Sequence, residues 1–208
     1  QTARERLTLE SEMRRALERQ EFMLFFQPQV DVASGRLVGA EALVRWRHPD
    51  SGLVPPAGFI PLAEETGLIL PLGAWGLYAA CERYQAWREA GLPDFTLAVY
   101  LSPRQFRQKN LVRQVRSILD ATGMPPNRLE LEITEGAIME HGENARGILL
   151  ALKSLGIKLA IDDFGTGYSS LAYLRRFPIN VLKIDQSFMH DIPHDQGAME
   201  IAATIVAM

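Results

Sequence analysis

Several things are scarce in this chain. Cysteine occurs once, as Cys81, so no intrachain disulfide can form. A single thiol in an apolar helical run suits a buried position and a reducing, cytoplasmic setting. No apolar run approaches the roughly 20 residues of a membrane span, and no signal peptide opens the sequence. Net charge is only -3. That leaves no bulk electrostatic case for binding a nucleic-acid polymer or an anionic membrane. Glycine fingerprints for phosphate binding are also missing. Gly165-Thr166-Gly167 has neither dinucleotide-loop spacing nor the lysine of a P-loop. The first residue is Gln1, not Met, and a fragment of something longer is expected.

What is present is a chain of 208 residues, 47% hydrophobic, enough for one sizeable core. Residues 1–20 read as an Arg- and Glu-rich helix with a thin stripe of Leu9, Met13, Ala16 and Leu17. Such a stripe suggests a connector to an upstream domain. After it, strand and helix patterns alternate. Strands are expected over 22–32, 37–47, 95–101, 128–134, 158–162 and 179–184. Helices are expected over 58–66, 70–90, 103–121, 143–155, 168–176 and 196–208. Ser102-Pro103 is a helix start, with Ser as cap and Pro at the first helical position. Alternation with short connections predicts a parallel sheet with crossover helices.

Charged residues fall at or near the C-terminal ends of these strands: Glu41, Glu132, Asp162, Asp163, Lys183 and Asp185. In a β/α barrel such ends meet at one mouth. Asp162 and Asp163 are adjacent and repel, so a cation should stand near them. A divalent metal, Lys183 and Arg45 are the candidates. The plainer alternative is that Asp163 or Thr166 caps the next helix. Likewise, Glu41 in an apolar strand is either a metal ligand or one half of a Glu41–Arg45 salt bridge. Carboxylates without Cys or His partners select Mg²⁺ or Mn²⁺ over Zn²⁺. Two such ions suit in-line attack on a phosphodiester, with Lys183 orienting the water and Arg45 holding a phosphate oxygen. An enolase-type lyase with Lys183 as base is the alternative these residues leave.

Six ordered motifs carry a resemblance. They are Glu41-Ala42-Leu43-Val44-Arg45-Trp46, Phe59-Ile60-Pro61-Leu62-Ala63-Glu64, Ser102-Pro103-Arg104-Gln105-Phe106, Leu131-Glu132-Ile133-Thr134-Glu135, Asp162-Asp163-Phe164-Gly165-Thr166-Gly167-Tyr168-Ser169-Ser170-Leu171 and Lys183-Ile184-Asp185. Together they resemble the EAL domain family from about Phe22 to the last residue.

The resemblance implies an α/β, modified (β/α)8 TIM-type barrel over 21–208, after a 1–20 connector like those that follow GGDEF domains. It implies hydrolysis of cyclic di-GMP to linear pGpG with Mg²⁺ or Mn²⁺. The positions matching its metal ligands are Glu41, Glu132, Asp162 and Asp163, and Lys183 matches its water-orienting lysine. Gln27, Leu43, Arg45 and Asp185 match substrate contacts. The loop over 164–170 matches a dimerisation element.

The family pattern has Asn where this chain has Tyr100. A phenol is a poor neutral metal ligand, so one metal site should be weaker. The last two barrel strands are also expected to be absent, with a further Glu ligand and the Glu that steadies the Asp-Asp loop. A cyclic di-GMP receptor without turnover and a docking domain are therefore the competing expectations.

Overall fold

The structure is a computed structural model and describes residues 3–140, 142–165, 176–187, 197, 199–200 and 203–204. Six strands form a hydrogen-bonded path, and a seventh is attached to it. In chain order they are β1 (Phe22–Val30), β2 (Leu37–His48), β3 (Gly52–Val54), β4 (Thr96–Tyr100), β5 (Leu129–Thr134), β6 (Lys158–Phe164) and β7 (Val181–Ile184). The path runs β1-β2-β4-β5-β6-β7, with β3 paired to β2. From β2 through β7 the neighbours on the path are parallel, whereas β1 is antiparallel to β2. This is the α/β, modified TIM-barrel arrangement.

Pro28 continues the ladder opposite Ala40, and the register shifts only at Gln29/Val30. The strand survives its proline because β1 ends the path among the described residues, and at such an edge a missing N–H costs least. The short β3 was not expected. Its three residues carry no periodicity of their own.

The helices are α1 (Ala3–Glu18), α2 (Ile60–Thr66), α3 (Ile69–Glu89), α4 (Pro103–Phe106), α5 (Leu111–Thr122), α6 (Glu135–Met139) and α7 (Gly142–Ser154). Gly67 ends α2 in the left-handed region, at φ 85°, as a helix-ending glycine can at little cost. Ser102 and Gln105 form a full capping box at the start of α4. The single helix expected over 103–121 is instead two, broken between Phe106 and Leu111. The helix expected over 168–176 lies outside the described residues except for Arg176. Of the terminal helix, residues 197, 199–200 and 203–204 are described and helical. None of the described helices is long and apolar enough to cross a membrane.

Two apolar clusters hold the domain. In the larger, Leu129, Leu131 and Ile133 of β5 meet Val115 and Leu119 of α5, with Ala80, Cys81 and Tyr84 of α3. Burial pushes the Cys81 thiol up to about 12, so it acts as an inert apolar side chain. In the smaller cluster, Met13 and Ala16 of α1 pack with Phe22, Trp46, Phe59 and Ala63. His48 adds a polar fastening. Its Nδ1 accepts the Asp50 and Ser51 N–H groups, and its Nε2 lies 3.4 Å from Glu12 of α1. The narrow stripe of α1 is thus buried against the barrel.

Candidate active site

The parallel register sets the site. It places Tyr100 opposite Glu132 and Thr134 opposite Asp162. Glu41 stands opposite Gln27 on one side and Ala98 on the other. Side chains from four strands therefore converge at one end of the sheet.

Lys183, on β7, is the centre of that convergence. Its Nζ donates to Glu41 Oε2 at 2.9 Å. It lies 2.7 Å from Glu132 Oε1 and 3.6 Å from Asp162 Oδ1. The Glu132 side chain has 0% exposure. Its 2.7 Å contact is an ion pair, not an aligned hydrogen bond, and Oε2 has no hydrogen-bond partner. Burial pushes Glu132 up to about 7, against the pull of Lys183 and with the push of Glu41. Burial alone would lower Lys183. Glu132 and Glu41 outweigh it and hold the ammonium above its ordinary value.

The Asp pair splits. Asp162 joins the lysine cluster, while Asp163 is exposed and sits at φ 54°. Asp tolerates the left-handed region better than most residues. The turn coincides with a register shift between β6 and β7. Asp163 then lies beside Asp185, and its carboxyl is raised by partial desolvation, by Asp162 and by Asp185. Asp185 itself is held low by hydrogen bonds from the Ser187 hydroxyl and the Ser187 N–H, the latter at 2.9 Å.

Glu135, buried at the start of α6, accepts the Gly165 N–H at 3.2 Å and ties down the chain after the Asp pair. A Glu steadying the Asp-Asp loop was expected to be absent; Glu135, which stands in a quoted motif three residues after Glu132, makes that tie here.

The expected substrate contacts are more dispersed. Gln27 is exposed on β1, across the ladder from Glu41. Leu43 lies two residues beyond Glu41 on β2 and is half-buried. Arg45 donates to Val44 O at 2.8 Å and sits over the Phe25 ring, 5.6 Å from its centroid. No Glu41–Arg45 ion pair forms. Residues four apart in a strand are separated by about 13 Å, beyond reach of a direct contact.

Tyr100 ends β4 at the same mouth. Burial raises its phenol, and Glu64, Asp163 and Asp162 raise it further. A neutral phenol results, a weak donor to a metal.

Whether this set suits a divalent ion is a matter of chemistry and spacing. All the donors are oxygens, and the buried Glu132 Oε2 lacks a partner. A desolvated carboxylate oxygen of that kind costs free energy until a cation or donor meets it. The set therefore fits a hard ion in kind. In this arrangement no three His, Cys, Asp or Glu among the described residues stand close enough to hold one. Lys183 stands between Glu41, Glu132 and Asp162.

The EAL domain family matches residues 10–208, and the chain belongs to that family. A relative in Synechocystis sp., itself uncharacterised, is 51% identical over 190 residues, covering 91% of this chain and 27% of that protein. MucR of Pseudomonas aeruginosa, named a bifunctional diguanylate cyclase/cyclic di-GMP phosphodiesterase, is 44% identical, covering 99% of this chain and 30% of that protein. The chain thus spans under a third of these two relatives. Among solved structures, the PaMucR phosphodiesterase in complex with c-di-GMP superposes with a TM-score of 0.93 at 44% identity. That match covers 96% of this chain and 81% of the other.

Proposed function

We propose that this chain hydrolyses cyclic di-GMP to the linear dinucleotide pGpG in a divalent-metal-dependent reaction. One observation carries the reading. Lys183 draws Glu41, Glu132 and Asp162 from three other strands into one acidic mouth, in a family whose named relatives include cyclic di-GMP phosphodiesterases.

Glu41, Glu132, Asp162 and Asp163 would hold Mg²⁺ or Mn²⁺, which when bound neutralises phosphoryl charge and makes water more acidic. Lys183 orients the attacking water from its position between the carboxylates. Arg45 leaves the Val44 carbonyl to hold a non-bridging phosphate oxygen, which its planar fork suits. Gln27, Leu43 and Asp185 line the path of the substrate. Glu135, through Gly165, keeps Asp163 in its turned conformation.

A receptor that binds cyclic di-GMP without turnover is the second reading. It is favoured by the Tyr100 ring at the mouth and by the spacing of the carboxylates. Incubation with cyclic di-GMP and Mn²⁺, followed by chromatography, separates the two. Linear product supports hydrolysis. Saturable binding without product supports the receptor.

The expected setting is a cytoplasmic domain of a longer signalling protein, working downstream of another domain. A homodimer through the loop after Asp163 belongs to the same proposal, although most of that loop, residues 166–170, lies outside the described residues.

A further inference from the structure

Glu130 is a buried carboxylate with no share in the proposed metal-binding set. It precedes Glu132 by two residues on β5, so both side chains leave the same face of the strand, about 7 Å apart. Glu130 is only 6% exposed. Its partners in register are Ala98 on β4 and Lys158 on β6.

The nearby lysines are engaged elsewhere. Lys158 Nζ donates to Thr96 Oγ1 at 2.9 Å. Lys183 makes its ion pairs with Glu41, Glu132 and Asp162. A buried carboxylate without a close counter-charge is costly, and an apolar side chain would be cheaper at this position. Yet the charge of Glu130 is felt from two sides. Burial raises its carboxyl, Lys158 and Lys183 pull it back down, and Glu41 opposes them. Thr96, Glu130 and Lys158 also line a cavity at the opposite end of the strands, beside Arg36 and Arg128. Charges of alternating sign thus run through the interior from Lys158 to Glu130, then to Lys183 and the carboxylates of the mouth.

This order bears on the metal-bound state. Glu41, Glu132 and Asp162 give Lys183 its ion pairs, and they are also the groups that would turn to a divalent ion. Lys183 is then left half-buried, charged and repelled by that ion. Glu130 does not belong to the set that turns away.

We infer that Glu130 is a positioning residue for Lys183: it serves as the counter-charge of the ammonium once the mouth carboxylates have turned to a metal ion, and so keeps Lys183 in place to orient water. The inference rests on the phosphodiesterase reading for the role of that ion and that water.

Lys109, Lys153, Lys158 and Lys183 are the only lysines of the chain, so ammonium NMR of ¹⁵N-lysine-labelled protein gives a direct readout. The Lys183 signal is assigned by its loss in Lys183→Arg. An ammonium held by carboxylates exchanges slowly and is seen, whereas a released one exchanges with water and fades. Without Mg²⁺, wild type and Glu130→Gln should both show Lys183, which also shows that the variant is folded. With saturating Mg²⁺, wild type should keep the signal at a shifted position, and Glu130→Gln should lose it. Glu130→Asp, which keeps the charge, should retain it in part. Lys158→Met should behave as wild type. In turnover of cyclic di-GMP, Glu130→Gln should lower kcat at least about tenfold with KM within about twofold.

A Lys183 signal that survives Mg²⁺ in Glu130→Gln as it does in wild type would overturn the inference. Equal loss in Lys158→Met would assign Glu130 to Lys158 and overturn it too. No effect of Mg²⁺ on Lys183 in wild type would overturn it together with the metal-dependent reading. The expected signals without any product from wild type would overturn the phosphodiesterase reading alone and support the link between Glu130 and Lys183.

Discussion

Lys183 Nζ lies 2.7 Å from Oε1 of Glu132, a carboxylate with 0% side-chain exposure. The pair joins β5 to β7, strands that are not neighbours in the sheet. It therefore fastens the mouth across β6 as well as charging it. Removing one partner of such a pair strands the other charge in a dry site. Lys183→Met should destabilise the domain by about 3–5 kcal/mol. Urea unfolding at neutral pH measures this, and a loss under about 1 kcal/mol would show that water reaches Glu132 freely.

The same carboxylate predicts a pH dependence. Burial raises Glu132 from 4.5 to about 7. A raised carboxylate favours folding while protonated, and that contribution is lost as pH rises from about 4.5 through about 7. Glu132→Gln removes the titration. Between pH 5 and pH 8 the wild type should therefore lose up to about 3 kcal/mol relative to the Gln variant. Parallel pH profiles of unfolding midpoint for the two proteins check the sign.

The two glycines of α3 predict opposite outcomes for one substitution. Gln105 is buried and engaged with Ser102 in both directions of a capping box, so its amide cannot yield cheaply to a Cβ on Gly73. Gly73→Ala should cost about 1–3 kcal/mol. Gly76→Ala meets no neighbour and should stabilise by about 1 kcal/mol. Thermal melts of the two single variants give the comparison, and equal effects would contradict it.

Met13 and Ala16 of α1 lie at 1% and 0% exposure within the smaller apolar cluster. A chain beginning at Glu21 would leave Trp46 and Phe59 partly in water. It should melt well below the intact chain, by at least about 5 °C. An unchanged melt would mean that α1 serves only as a connector.

Much of this was legible in the sequence. The strict alternation of Leu129, Leu131 and Ile133 against Glu130 and Glu132 located β5 and its inward carboxylates. Ser102-Pro103 located the start of α4 through a cap that the structure completes with Gln105. Other features depended on partners distant in sequence. The stripe of α1 looked too thin to be structural because the surfaces it meets, Trp46 and Phe59, come from β2 and the turn before α2. The break between α4 and α5 has no proline or glycine to announce it, since Arg107 to Asn110 would all fit a helix.

At the site, Glu41 and Lys183 were both singled out, but which cation would meet the carboxylates was open. Of the two side-chain cations, the geometry brings Lys183 to the carboxylates and sends Arg45 to the Phe25 ring. The splitting of Asp162 from Asp163 rests on a left-handed backbone at Asp163, which adjacency in sequence does not reveal.

The most direct test of the account is product formation from cyclic di-GMP in Mn²⁺, by this chain and by Glu41→Ala. Glu41 pairs with Lys183 and not with Arg45, so its loss leaves no stranded arginine, and Lys183 keeps Glu132. The account predicts linear pGpG from the wild type. It predicts at least about 100-fold less from a Glu41→Ala variant that melts within a few degrees of it. Undiminished product from folded Glu41→Ala, or none from the folded wild type, would contradict it.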